Sequence, residues 1–463
     1  MSRRNNRHDH PMVRRMSFSR LSLTLLSAIL GLAGFSAAPA SAAPDRAAVA
    51  VIFHEAKAIS DRDGGRLWGL RLYGPMLIVD PIDRGVVANA PDADGLLKSA
   101  GAVFIGALPE SVMVSNTPIE WAGTRWTELT WPLVTKGYKV YPIGDDWRRV
   151  LLAHEMFHRI QPTLRLTRPE IANVQLDTLQ GRYLLQLEWR ALARALTATT
   201  PAVRRATVAD ALLFRNARYR LFPEAAADEM ALEFDEGLAE YTGVRLGLTT
   251  PEARTRYAVY DLSAFLGAPT FVRSFAYADG PAYGLLLDAA DPAWRHKLGS
   301  GRRLDQLLAS AMGLPRPDFA ALKAREAAYD PGASLHADEV ARDQRRQAML
   351  AALTARLVEG PVLRLPLRHA NYAFNPQTLQ PLGDYGTVYP AVRLSDDWGV
   401  LEVEHGGALF DKAMKLATVS AAGADPATLA GDGWRLTLNK GWALQPGPRK
   451  GDLLATRTAG ATP

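Results

Sequence analysis

The spacing of apolar positions changes three times along this 463-residue chain. An almost uninterrupted apolar run, LSLTLLSAILGLAGF, occupies residues 21–35. From about 46 to 135 a short helix gives way to strand-like runs at 69–80, 101–108 and 123–134, bounded by Gly, Pro and Asp turn signals. In the last run Thr124, Trp126, Glu128 and Thr130 alternate with Arg125, Thr127, Leu129 and Trp131. That period of two predicts an exposed or edge strand.

From about 144 to 358 apolar residues recur three and four apart, which predicts helices over 146–160, 175–198, 202–221, 224–245, 281–290, 302–312 and 335–358. Pro162, Pro201, Pro223 and Pro281 punctuate them. After EGP (359–361) the helical period stops, and short strand-like pieces such as VLRLPLRHANYAF and WGVLEVEHGGALF follow. The fold class is therefore α+β: an N-terminal mixed or antiparallel sheet, a largely helical core and a C-terminal β-domain. The expected boundaries are a leader at 1–43, a β-rich part at 44–143, a helical domain at 144–358 and a β-domain at 359–463.

Composition adds limits. Hydrophobic residues make up 48% and charged residues 22%, ordinary for a chain that buries a core. No 18-residue apolar run follows the first fifty residues, so no internal membrane span is expected. The net charge is +6, but Arg3, Arg4, Arg7, Arg14, Arg15 and Arg20 against Asp9 place +5 of it in residues 1–42. The remainder carries no clustered basic face, which argues against a nucleic-acid partner. Basic residues ahead of the 21–35 run, and small residues in APASAAPD (38–45), read as a signal peptide cleaved after Ala42 or Ala43. An uncleaved anchor is the alternative, and Arg14-Arg15 fits a twin-arginine signal poorly. With cleavage the protein is exported, periplasmic or secreted, and keeps no stable membrane span. The chain has no cysteine, so it has no disulfides, no thiolate metal ligands and no cysteine-linked lipid.

The chemistry is concentrated in LLAHEMFHRIQP (151–162). Asp145 or Asp146 can cap this helix, Val150, Leu151, His154, Phe157 and His158 share a face, and Pro162 ends it. Residues four apart stack one turn above the other, so His154 and His158 can reach one ion. Glu155 projects to the side, where it can hold a water rather than the metal, and this division is the content of an HExxH pattern. Gln161 and Leu164 stand where the three-histidine variant needs Gly and His. Seven histidines follow residue 43, and His54, His296, His336, His369 and His405 each sit alone. A carboxylate must complete the site. In DEMALEFDEGLAEYTG (228–243), Glu229, Glu233, Glu236 and Glu240 fall on one helical stripe. Four like charges on one face need a cation or arginines such as Arg190, Arg194, Arg204 and Arg205.

HEMFH followed by DEGLAEY resembles the gluzincin class of zinc metallopeptidases, with HExxH on one helix and a glutamate ligand on a second, often within EGxAxY. The resemblance implies a zincin-like catalytic core, Zn²⁺ bound by His154, His158 and Glu236, Glu240 orienting a ligating histidine, and Glu155 as general base. Aminopeptidase N and its relatives carry the second motif much closer to the first. Here 77 residues separate His158 from Glu236, and this leaves Glu233 as a competing ligand. The resemblance covers these two motifs and extends to YADGPAYG (277–284). FAYADGPAYGLLLD (275–288) is the candidate source of an oxyanion stabiliser, Tyr283 or Tyr277, with His296 a weaker candidate. Gly280-Pro281 also reads as a helix start whose tyrosines pack in the core.

Zinc with three protein ligands keeps an open position, the arrangement of a catalytic site. The expected activity is hydrolysis of peptide or protein substrates. A zinc amidase acting on cell-wall peptides, and a non-catalytic exported binding or assembly module, are the alternatives. The tryptophan-rich IEWAGTRWTELTWP (119–132) is the expected place for an extended peptide to pair, unless Trp121, Trp126 and Trp131 only cover a core.

Overall fold

In the computed structural model the strands at 76–130 build a sheet buried on both faces. The structure describes residues 44–109, 112, 114–131, 134, 146–166, 173–374 and 378–458. The leader and Asp145 lie outside these residues. Six strands, β1 (Met76–Val79), β2 (Gly85–Ala88), β3 (Lys98–Ala100), β4 (Val103–Ala107), β5 (Thr117–Trp121) and β6 (Thr124–Thr130), pair in the order β3-β4-β2-β1-β6-β5. Only β1 and β6 run parallel in this mixed sheet. Alternate residues divide between two cores, as the period of two requires. Met76, Ile78, Val87 and Leu129 join the helices, while Leu77, Val79, Val86, Trp121 and Trp126 form a second cluster behind the sheet.

Two expectations for this region are corrected. β6 is not an edge strand, because β1 and β5 flank it and Trp126, Thr127, Glu128 and Leu129 are all buried. The edge on this side is β5, joined to β6 by a two-residue turn, Ala122-Gly123, with φ of 50° and 68° at its centre. Both angles are positive, as the hairpin turn that matches strand twist demands. Trp121 and Trp126 are core residues, so the tryptophan-rich segment presents no aromatic binding face there.

Helix α1 (Arg46–Asp63) starts on an Asp45 cap, and α2 (Asp146–Ile160) lies against the sheet with Leu152, Ala153, Met156 and Phe157 buried. α3 (Leu179–Leu196) and α4 (Pro201–Leu221), each capped by a threonine, form the long antiparallel pair that fills the space between the two motifs. The helix expected over 224–245 is interrupted. α5 (Ala225–Leu232) opens into a π-turn at Glu233–Gly237 and resumes as α6 (Leu238–Gly247). α6 packs along α2 because Gly243 admits it: a Cβ there would sit 2.7 Å from the Val150 carbonyl oxygen.

α7 (Pro251–Ala264) was not marked by the pattern. α8 (Ser274–Ala290) begins seven residues before the expected start, so Pro281 lies inside the helix. α8 crosses the π-turn at Gly280, where a Cβ would come within 2.0 Å of the Gly237 carbonyl oxygen. This contact brings the first turn of α8 over α2. Helices α9 (Leu304–Ala311), α10 (Leu322–Tyr329) and α11 (Ser334–Thr354) complete the helical layer. Among the described residues of 362–457, one seven-stranded and one five-stranded sheet enclose a separate core running from Leu363 to Ala455. The architecture is α+β, in the predicted order.

Candidate metal centre

His154 and His158, one turn apart on α2, point their Nε2 atoms at each other across 3.1 Å. The Glu236 Oε2 lies 3.4 Å from both. Each imidazole is held from its far side. The His154 Nδ1 is 2.8 Å from the Glu240 Oε2, and the His158 Nδ1 is 2.9 Å from the Gln161 Oε1. Both partners are acceptors, so each Nδ1 carries the proton and each Nε2 offers a lone pair inward.

This triangle fits a zinc ion. Zn–N and Zn–O distances are about 2.0–2.1 Å, and a regular tetrahedron of that radius has edges of about 3.3–3.4 Å. The observed edges are 3.1, 3.4 and 3.4 Å. Two neutral histidines and one carboxylate also form a zinc donor set. Sequence reasoning left Glu233 in competition with Glu236, and the fold separates them. No other histidine joins the cluster among the described residues.

The π-turn is the reason. A regular helix would keep Glu229, Glu233, Glu236 and Glu240 on one stripe; the widened turn swings the last two toward α2. Glu229 and Glu233 face α3 and α4 instead. There the Arg215 Nε donates to Glu188 at 2.7 Å, and its Nη2 donates to Glu233 and Asp279 at 2.6 Å each. Arg218 donates to Glu229 and to Glu188. All six side chains are fully buried. Arginines do neutralise half of the stripe, but they are Arg215 and Arg218 rather than Arg190, Arg194, Arg204 or Arg205. Four carboxyls face two guanidinium groups, so the cluster balances when two carboxyls hold protons. Burial pushes the Glu233 carboxyl up to about 7 despite Arg215, and burial together with the Glu188 charge pushes Asp279 up as well.

The metal cluster shows the opposite field. Burial disfavours charge on Glu236, yet its hydrogen bonds to His154 and His158 pull the carboxyl far below its usual range. Burial would lower His154, and Glu236 and Glu240 lift it well above an ordinary imidazole. Burial raises Glu155, which the histidines only partly offset. Its Oε2 has no hydrogen-bond partner among the described residues.

A cleft of about 300 Å³ exposes this cluster. His154, Glu155, His158, Asp235 and Glu236 form its floor, Asn116, Thr117, Pro118 and Arg125 one wall, and Arg273 and Tyr277 the other. The Tyr277 ring stacks on His154 at 5.7 Å with planes 5° apart, and its hydroxyl hydrogen-bonds Glu236. Tyr283 is not in the cleft, which corrects the expectation that either tyrosine would serve. Six residues further along α8 is another face of the helix, and there the Tyr283 hydroxyl donates to the Glu188 Oε1 at 2.7 Å. His296 does not line the cleft either.

Sequence reasoning missed Arg273, whose Nη2 donates to the Glu236 Oε1 at 3.1 Å, and the positive use of Gln161. No local signal marks Arg273. Gln161 was visible, but only as the residue that excludes a glycine. No family model, curated protein or solved structure matches the chain. The His154–His158–Glu236 cluster supports a metal-activated catalytic site of the HExxH type, consistent with the mechanism of a zinc metallopeptidase.

Proposed function

We propose that this protein is an exported zinc peptidase in which Glu155 is the general base. The observation that carries the reading is the triangle of His154, His158 and Glu236 at tetrahedral zinc spacing. When bound, zinc supplies a Lewis acid that polarises a peptide carbonyl and lowers the pKa of water. Glu155, adjoining a ligand on α2, accepts the proton of the attacking water at its unpartnered Oε2 and passes it to the leaving amine. The Tyr277 hydroxyl, hydrogen-bonded to Glu236 in the structure, would turn its single proton toward the carbonyl oxygen as charge builds on it. Glu240 holds the His154 ring and its tautomer.

The β5 strand supports a peptide as substrate. It is one of the two outer strands of the sheet, and Thr117 and Pro118 line the cleft, so an extended chain can pair along it. Export rests on the leader pattern at residues 1–43. No helix among the described residues is long and apolar enough to cross a membrane. We propose that 359–463 is a domain with its own core, joined to the end of α11 by a small apolar cluster of Leu350, Leu353 and Leu357 with Leu382, Val388 and Leu409.

Metal content and digestion of a peptide library test the assignment together. The parent should bind one equivalent of zinc, lost in His154→Ala and Glu236→Ala. Glu155→Gln should keep the zinc and lose at least 10²-fold in activity. Full zinc retention in Glu236→Ala would sink the ligand set, and undiminished cleavage by Glu155→Gln would sink the base.

A further inference from the structure

We propose that Gln161 is the positioning residue that locks His158 for metal binding and ties it to the turn carrying Glu236. The inference rests on the zinc reading of the site. Gln161 is 2% exposed and follows the last residue of α2, where Pro162 turns the backbone into a short 3₁₀ segment. Three residues after His158, its side chain lies on the same face as the imidazole.

The amide uses both ends. Its Nε2 donates to the Phe234 carbonyl at 2.8 Å and to the Asp235 carbonyl at 3.2 Å. Both carbonyls belong to the π-turn, directly before the ligand Glu236. A carbonyl accepts and cannot donate, so these two contacts fix which end of the amide is nitrogen. The Oε1 must then face His158, where it meets the Nδ1 at 2.9 Å. That oxygen only accepts, so His158 carries its proton on Nδ1 and leaves the Nε2 lone pair for the cation. The π-turn thus dictates, through one buried amide, the tautomer of a ligand on another helix.

The two histidines are therefore locked by different means. Glu240, on α6, holds His154 with a carboxylate. Gln161 holds His158 with a neutral group and joins the two ligand-bearing elements. Partners of this kind typically contribute 10- to 100-fold to metal affinity when they orient a ligand. Gln161→Leu keeps the size and apolar stem of the side chain and removes both halves of the clamp. Gln161→Glu keeps an acceptor for the His158 Nδ1 proton but cannot donate to the two carbonyls.

The test uses the full mature chain with ¹⁵N-labelled histidine. Zinc affinity is measured by competition with a chromophoric chelator, and the Nδ1 protons are observed by NMR in the zinc-loaded state. Gln161→Leu should bind zinc about 10- to 100-fold more weakly than the parent. It should lose the slowly exchanging His158 Nδ1 proton signal and keep that of His154. Gln161→Glu should keep the His158 signal and still lose affinity. A general structural defect would broaden both histidine signals, and that result overturns the proposal. So does Gln161→Leu affinity within twofold of the parent with the His158 signal intact. The reading of the centre stands in that case, because the parent still binds zinc. A parent that binds none overturns both.

Discussion

Replacing Arg215 with methionine tests the division of the acidic stripe. Arg215 is fully buried and donates to three carboxylates, Glu188, Glu233 and Asp279, at 2.6–2.7 Å. Methionine fills much of the same volume and takes away the charge. Breaking a buried ion pair by removing one partner costs about 3–5 kcal/mol, and three acids depend on this partner. A loss near the upper figure is expected at pH 8, comparable with the whole stability of many domains.

The penalty must depend on pH. Glu233 titrates at about 7 in the folded chain, above its ordinary 4.5, so the folded state binds more protons than the unfolded one between those values. Its contribution is full below about pH 4.5 and fades as pH rises through about 7. Without Arg215 the folded pKa of Glu233 and Asp279 rises further, so stability falls with pH more steeply in the variant. Urea denaturation of parent and variant at pH 5.5, 7 and 8.5, followed by tryptophan fluorescence, measures the difference. A variant within about 1 kcal/mol of the parent at pH 8.5 would refute the reasoning, as would a penalty that grows toward low pH.

Other expectations separate residues the sequence left together. Tyr277→Phe should still bind one equivalent of zinc and lose about 10²- to 10³-fold in kcat, whereas Tyr283→Phe should leave the kinetics unchanged and lower stability by about 1.5–3 kcal/mol. Steady-state assays and thermal melts of the pair decide this, and equal kinetic losses would contradict the assignment. Glu128 is buried in β6, and burial, only partly offset by the Ser115 backbone N–H and Arg84, pushes it up to about 8. Its protonated form is favoured on folding, so its contribution fades between about pH 4.5 and 8. Glu128→Gln should flatten the parent's decline in stability over that window, and an unchanged slope in denaturant titrations would exclude Glu128 as a source.

Much of this protein was legible in local spacing. HExxH on a helix needs only a period of 3.6 to bring His154 and His158 together, so five residues named two members of the cluster and the proposed base. The order sheet, helices, second β region followed from where the apolar period changes. Glu236 and Glu240 could be named because EGLAEY resembles a known motif, but spacing left Glu233 equal to Glu236.

The tertiary structure decided between them. A π-turn is a one-residue irregularity with no periodic signature, and it rotates half of an acidic stripe away from the other half. Which arginines meet the buried half depends on how α4 packs, since Arg215 lies 18 residues from Glu233 and Arg218 lies 11 residues from Glu229. The choice of Tyr277 over Tyr283 depends on α8 starting at Ser274 and crossing the π-turn at Gly280. The edge strand is β5 rather than β6 because a parallel neighbour, β1, arrives from some fifty residues earlier. Local sequence determines what a side chain can do and which way a regular helix or strand would turn it. Contacts between distant segments settle where the irregular turn falls and what lies opposite, and those two facts place the third ligand of the metal centre.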